Sequence, residues 1–231
     1  MSRHVITGAT SGMGAAIVER LVARGDALVL IARDERRAET LRSSYGDAEV
    51  QVLVGDLADP GTLNGVGRQV EGPVDSLLHV AGTVDLGPVA RMRLHEWEEQ
   101  LAVNLLAPAV LTRELLPQLR EARGTVVFVN SGAGLAAHPH WAAYAASKFG
   151  LRALADALRA EEAEHGVRVT SVFPGRTATP MQQKVHEQEG RDYDPAEWID
   201  PATVADAVLH VVDLPRDSTI TDMTVRPGPG R

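Results

Sequence analysis

Cysteine is absent from all 231 residues, which excludes disulfides, thiolate nucleophiles and zinc–thiolate sites and leaves the chemistry to oxygen, nitrogen or a bound cofactor. Aromatic residues are scarce at 4%, so the hydrophobic 44% consists mostly of Ala, Val and Leu, a balance suited to helices packed closely on a parallel sheet. Long apolar runs are missing as well: nothing reaches the roughly 18 residues that a membrane helix needs. The amino terminus enters a strand-like segment directly instead of a cleavable signal. These absences predict a soluble, cytoplasmic protein with no membrane partner. With a net charge of -8 and no run of Lys and Arg to neutralise a phosphate backbone, nucleic acid is not an expected partner either.

What is present is alternation. Short β-branched or aliphatic runs at 4–7, 27–32, 50–54, 76–80, 125–130, 167–173 and 221–225 are separated by stretches of helical periodicity, the pattern of parallel strands joined by crossover helices. The expected fold is α/β, a single Rossmann-type doubly wound domain over 1–231 with a mainly parallel seven-stranded sheet. Right-handed crossovers then gather the loops after the strands along one edge. A polar segment at 181–200 reads as a substrate flap, and the closing Pro227-Gly228-Pro229-Gly230-Arg231 as a frayed tail.

Directly after the first strand runs Thr7-Gly8-Ala9-Thr10-Ser11-Gly12-Met13-Gly14, which opens a helix extending to about Gly25. Glycines 8, 12 and 14 let the backbone turn tightly and approach a pyrophosphate, whose charge is favoured by free N–H groups at the helix start. The bland alternative is a turn that merely joins strand to helix. No Gly-Lys-Ser/Thr follows, so the loop is not of the Walker type. The second strand ends Ile31-Ala32-Arg33-Asp34, with a cation where a ribose-binding carboxylate usually stands. Arg33 is suited to a forked pair with a 2′-phosphate, which favours NADP; Asp34 leaves NAD as the alternative.

Further on, Asn104, Ser131, Tyr144 and Lys148 form a second constellation. Tyrosine and lysine four positions apart share one helix face, so the ammonium is expected near the phenol, lowering its pKa from about 10 and making Tyr144 usable as acid and base.

The glycine pattern, the Asn-Ser-Tyr-Lys set and Pro174-Gly175 together resemble the short-chain dehydrogenase/reductase family over nearly the whole chain. The resemblance implies an NAD(P) cofactor and frequent homotetramers or other homo-oligomers. It implies that Ser131 orients a carbonyl and that Tyr144 transfers the proton. Lys148 is then expected to bind the nicotinamide ribose and tune the tyrosine, while Asn104 holds a water linking the lysine to solvent. It further implies an adenine contact at Asp56 and Leu57, a backbone contact at Ala81-Gly82, and carboxamide contacts at Pro174, Gly175, Thr177 and Thr179. One departure stands at the fourth strand, where the family's Asn-Asn-Ala-Gly is His79-Val80-Ala81-Gly82. His79 reads as a structural hydrogen-bonding residue there.

His138-Pro139-His140 has too few ligands for a metal site and reads, with Trp141, as a pocket wall. The pattern from Leu94 to Ala122 reads as helix packing; in related folds this helix and the one bearing Tyr144 form subunit interfaces. Arg176 is either a carboxylate-binding group or an exposed side chain without a role. The function expected is carbonyl–alcohol interconversion on a small molecule with NADP. The alternatives are a catalytically silent NAD(P)-sensing or scaffold protein, and an epimerase or dehydratase, for which too few residues follow Thr179 to build a separate substrate lobe.

Overall fold

Seven aliphatic runs pair into one sheet: β1 (Arg3–Thr7), β2 (Ala27–Ala32), β3 (Val50–Val54), β4 (Ser76–His79), β5 (Thr125–Val129), β6 (Arg168–Pro174) and β7 (Asp222–Val225). The computed structural model describes residues 1–46 and 48–229, so Gly230 and Arg231 of the expected tail lie outside the described residues. Every strand pairing among them is parallel, in the order β3-β2-β1-β4-β5-β6-β7. The helices are α1 (Gly12–Ala23), α2 (Glu35–Ser44), α3 (Leu94–Leu101), α4 (Ala107–Ala122), α5 (Ala142–Glu161), α6 (Pro180–Glu189) and α7 (Pro201–Val212).

Strand side chains alternate between two cores, as the pleat requires. Val5, Val29, Leu77, Val126 and Phe128 pack with Leu111 and Leu115 of α4 and Leu151 and Leu158 of α5. Ile6, Leu30, Leu78, Val127 and Val129 face the other way, onto Ile17 and Leu21 of α1 and Val204 and Val208 of α7. Burial on both faces explains why the inner strands read as continuous apolar runs, while the edge strands β3 and β7 keep exposed residues. Between β3 and β4 the crossover carries two short 3₁₀ turns, Pro60–Leu63 and Val66–Gln69, in place of a helix. The strand order reverses between β1 and β4, and the crevice outside that switch point is where such sheets bind ligands.

Two segments depart from a simple reading. The pattern from Leu94 to Ala122 is α3 and α4 joined through a π-helical turn, Ala102–Leu106, which contains Asn104. The polar segment 181–200 contains most of α6, started by the Thr179 cap and Pro180 and stopped by Gly190 at φ 66°. Gln183, Glu187 and Gln188 are exposed while Gln182, Val185 and His186 are buried.

β4 ends one residue early because the Val80 N–H leaves the ladder; it and the Ala81 N–H both donate to the Thr7 hydroxyl at 3.2 Å. His79 points into the core, where Nε2 lies 2.9 Å from the Thr112 hydroxyl and the ring stacks on Phe128 at 4.9 Å. Burial lowers its pKa to about 3, so it is neutral. Since the unfolded chain takes up the proton first, the stability contributed by neutral His79 is full above about pH 6.5 and is lost as pH falls towards 3, by about 1.4 kcal/mol per unit. Urea unfolding at pH 7 and pH 5 should therefore show a decline in the native protein steeper than in His79→Gln by about 2 kcal/mol. Equal declines would mean that His79 is protonated in the folded state.

Candidate active site

The glycine loop sits at the carboxyl end of β1, where each of its three glycines occupies a position that a side chain could not. Gly8 has φ 78°, and a Cβ there would lie 2.7 Å from the Ala81 nitrogen. Gly12 has φ 54°, with Thr179 Cγ2 at 2.8 Å from the same imagined atom. At Gly14 a Cβ would overlap the Gly8 carbonyl oxygen, so this glycine lets α1 pack onto β1. Ser11 is the extended N-cap residue of α1, makes no side-chain cap, and no acid follows in the first turn. The N-terminal N–H groups and positive helix end thus remain available to an anion, and a backbone cradle with no Cβ fits a dinucleotide pyrophosphate. Thr10 and Ser11 are exposed on this loop and Met13 is half-buried beside the cavity described below.

Ser131 follows β5, and Tyr144 and Lys148 come from the first turns of α5. Burial pushes the Tyr144 phenol up, and the Ser131 hydroxyl, which works in the opposite direction, does not offset it. The expected lowering by Lys148 is therefore not what this structure holds. The ammonium lies 5.8 Å from the Tyr144 ring centroid and donates to the Val129 carbonyl at 3.1 Å, while burial lowers its own pKa to about 8. Desolvation dominates both groups because each is almost wholly buried. Asn104 is tied on both sides: its Oδ1 accepts from the Thr83 N–H at 2.9 Å, and its Nδ2 donates to the Thr83 carbonyl at 2.9 Å and the Ser147 hydroxyl at 3.0 Å.

Around the rest of the edge, Arg33 is exposed after β2, with Nε 3.4 Å from Asp34 Oδ2. Asp34 caps α2 by accepting from the Arg37 N–H at 2.9 Å, a bond that holds its carboxyl below the usual range. Asp56 accepts from the Ala58 N–H at 2.9 Å in the turn after β3, where Leu57 packs against the core. Ala81 and Gly82 follow β4; a Cβ on Gly82 would lie 3.2 Å from Asn104 Oδ1 and 3.7 Å from Lys148 Nζ. After β6, the Thr177 hydroxyl donates to the Gly175 carbonyl and the Thr179 hydroxyl accepts from the Gln182 N–H at 3.2 Å, capping α6.

A cavity of about 390 Å³ lies at the centre of this edge. Ser131 and Tyr144 line it together with Met13, Pro174, Gly175, Thr177 and Thr179. Val84, Trp141, Met181 and Val185 supply apolar walls. His138 lines it too, whereas His140, at φ 71°, does not. Among the described residues no group of three His, Asp or Glu side chains is placed to hold a metal ion. Arg176 forks onto Glu189 at 2.6 and 2.9 Å and lies 5.5 Å from the Trp198 ring. Sequence reasoning missed Glu189 and also Asn130, which donates to the Lys148 carbonyl at 3.0 Å and accepts from the Ser131 N–H at 2.8 Å. A lone Asn ending a strand carries no distinguishing signal.

A family model described as short chain dehydrogenase matches residues 3–190. The granaticin polyketide synthase putative ketoacyl reductase 1 of Streptomyces violaceoruber is 37% identical over 191 residues, covering 79% of this chain and 70% of that protein. The glycine betaine reductase ATRR of Emericella nidulans is 32% identical over 96% of this chain, which spans only 18% of that much longer protein. Among solved structures, the alcohol dehydrogenase from the archaeon Thermococcus sibiricus complexed with 5-hydroxy-NADP superposes with a TM-score of 0.85 at 26% identity, covering 100% of this chain and 98% of that one. On the strength of this match and of the sheet and loops that it spans, the chain belongs to the short-chain dehydrogenase/reductase family of oxidoreductases.

Proposed function

We propose that this protein is an NADP-dependent oxidoreductase that interconverts a carbonyl and an alcohol, with Tyr144 as acid and base. One observation carries the reading: a single cavity is lined by Ser131 and Tyr144 and by the loop residues suited to the nicotinamide end of a dinucleotide. The loop Gly8 to Gly14, with Ala81 and Gly82 beside it, is suited to hold the pyrophosphate, and Pro174, Gly175, Thr177 and Thr179 the carboxamide. When bound, the cofactor supplies or accepts the hydride.

In the reductive direction the Ser131 hydroxyl donates to the substrate carbonyl oxygen and orients it. As the new C–H bond forms and the carbonyl π pair moves to oxygen, the Tyr144 O–H bond breaks and its proton makes the alcohol O–H. A phenol held high by burial is protonated at neutral pH and ready to give that proton. The phenolate left behind is stabilised by the Lys148 ammonium, which is cationic below about pH 8. Asn104 holds the loop at Thr83 against α5 and so positions this pair. Oxidation runs the same steps backwards. Residues 181–200 serve as the substrate flap: Lys184 pairs with Asp85 at 2.7 Å and Gln188 accepts from the Leu86 N–H at 3.0 Å, which joins α6 to the loop after β4. Exposed Leu106 and Phe149, beside α4 and on α5, support a homo-oligomer through those helices.

NADP selection rests on Arg33, with Arg36 and Arg37 close to the same Asp34 carboxylate, and on the engagement of Asp34 as a helix cap. The bound 5-hydroxy-NADP of the Thermococcus sibiricus structure supports it. NADPH should bind more tightly than NADH, and Arg33→Glu should weaken NADPH binding about 10- to 100-fold while leaving NADH nearly unchanged. Fluorescence titration of the two cofactors measures this; equal or tighter NADH binding by the native protein rejects the NADP assignment. Tyr144→Phe should keep NADPH affinity within about twofold but lower kcat by roughly 10²- to 10⁴-fold in a screen of ketones and aldehydes. A near-native rate in that variant would remove Tyr144 from its assigned role.

A further inference from the structure

The cavity has a cationic side that hydride transfer leaves without a use. Along the sheet edge the glycine loop follows β1, Ser131 follows β5 and Arg226 follows β7, so Arg226 stands on the side of Ser131 away from the cofactor loop. The chain returns across the end of β6, with Pro227 Cδ 3.1 Å from where a Gly175 Cβ would be. Its guanidinium lies against Gly132, next to Ser131: a Cβ on Gly132 would be 2.8 Å from Arg226 Nη1 and 3.5 Å from Nη2. A side chain at 132 would thus push the cation away from the carbonyl-orienting serine.

Arg226 shares the cavity wall with Arg176, Arg191 and one carboxylate, Glu189. That carboxylate is taken up by the Arg176 fork, with Arg191 no closer than 3.9 Å. Among the described residues Arg226 has neither an ion pair nor a side-chain hydrogen bond. The wall therefore carries excess positive charge in a chain whose net charge is -8. Trp141, Met181 and Val185 line the same cavity and are apolar.

We infer that Arg226 is a specificity-determining residue that binds a carboxylate on the substrate, so that the protein acts on small oxo acids and the corresponding hydroxy acids. The inference rests on the carbonyl–alcohol reading above. Ser131 and Tyr144 hold the reacting oxygen, the guanidinium takes the carboxylate as a charge-assisted pair, and the apolar wall covers the short carbon chain between them. The space is shared with the nicotinamide end of the cofactor, which confines the class to short acids.

The test compares 3-oxobutanoate and 4-oxopentanoate with their methyl esters, using NADPH, in the native protein, Arg226→Ala and Arg226→Lys. For at least one pair the native protein should prefer the acid by about tenfold or more in kcat/KM, through KM. In Arg226→Ala the acid-to-ester ratio should fall to about one, with Arg226→Lys between the two. A native preference for both esters, or equal losses on acid and ester in Arg226→Ala, would overturn the inference while leaving the carbonyl–alcohol reading intact. If no carbonyl compound is turned over, that reading fails separately and tryptophan fluorescence decides the anion site. Saturable quenching by succinate that is weakened about tenfold in Arg226→Ala supports it, and an absent or unchanged response rejects it.

Discussion

The docking of α5 against the end of β5 is the constraint on which the site depends, because Ser131 belongs to one and Tyr144 and Lys148 to the other. Asn130 sets that docking through a single carboxamide: one end receives the Ser131 N–H and the other donates to the Lys148 carbonyl. The fit leaves no slack. A Cβ on Gly134 would come within 3.0 Å of both Asn130 Cγ and the Lys148 carbonyl oxygen. Each such buried bond contributes only about 1 kcal/mol net, but leaving its partner unsatisfied costs about 1–3 kcal/mol. The larger effect is geometric, since displacing a reacting group by about 1 Å can cost some 10²-fold in rate.

Burying an amine is normally costly, and here it shifts the titration of Lys148. Desolvation brings its pKa from the ordinary lysine range to about 8, while the Val129 carbonyl accepts from the nitrogen. Gly82 keeps this corner open, since a Cβ there would crowd the Asn104 oxygen at 3.2 Å and touch Nζ at 3.7 Å. The π-helical turn that carries Asn104 lets it reach the Thr83 backbone, and Gln100, one turn earlier, does the same for the Asp85 backbone. The loop over the site is therefore held by side chains of a packed helix rather than by its own backbone alone.

Much of this was legible in the sequence for physical reasons. Strands buried on both faces leave unbroken apolar runs, loop positions with no room for a Cβ must be glycine, and a spacing of four puts a tyrosine and a lysine on one helix face. Other features leave no such trace. Helix α6 is mostly polar in sequence, so the segment read as a flap, and its helix signals reduced to Thr179-Pro180 and Gly190. Spacing reports that Lys148 is near Tyr144 but not that both are desolvated, which is why the direction of the phenol shift was misjudged. Thr179, read as a cofactor contact, also has its hydroxyl engaged in a cap, and Arg226 reaches Gly132 across 94 positions of sequence.

The altered segment His79-Val80 shows what this fold requires where the family's asparagines are missing. The need is for satisfied partners rather than for amides: the N–H groups of Val80 and Ala81 are met by Thr7, and the His79 ring by Thr112. The same Thr7 precedes Gly8, whose bare backbone allows Ala81 to approach. The glycine loop after β1 and the Ala81-Gly82 loop after β4 are consequently one unit, fastened by a hydroxyl and by the lack of a side chain. Gly82 in turn borders Lys148 and Asn104. The glycine loop is thus linked to Lys148 and Asn104 through short contacts, none of which involves a side-chain amide at 79 or 80. The substitution at 79 and 80 is absorbed in the core, one step removed from the candidate site.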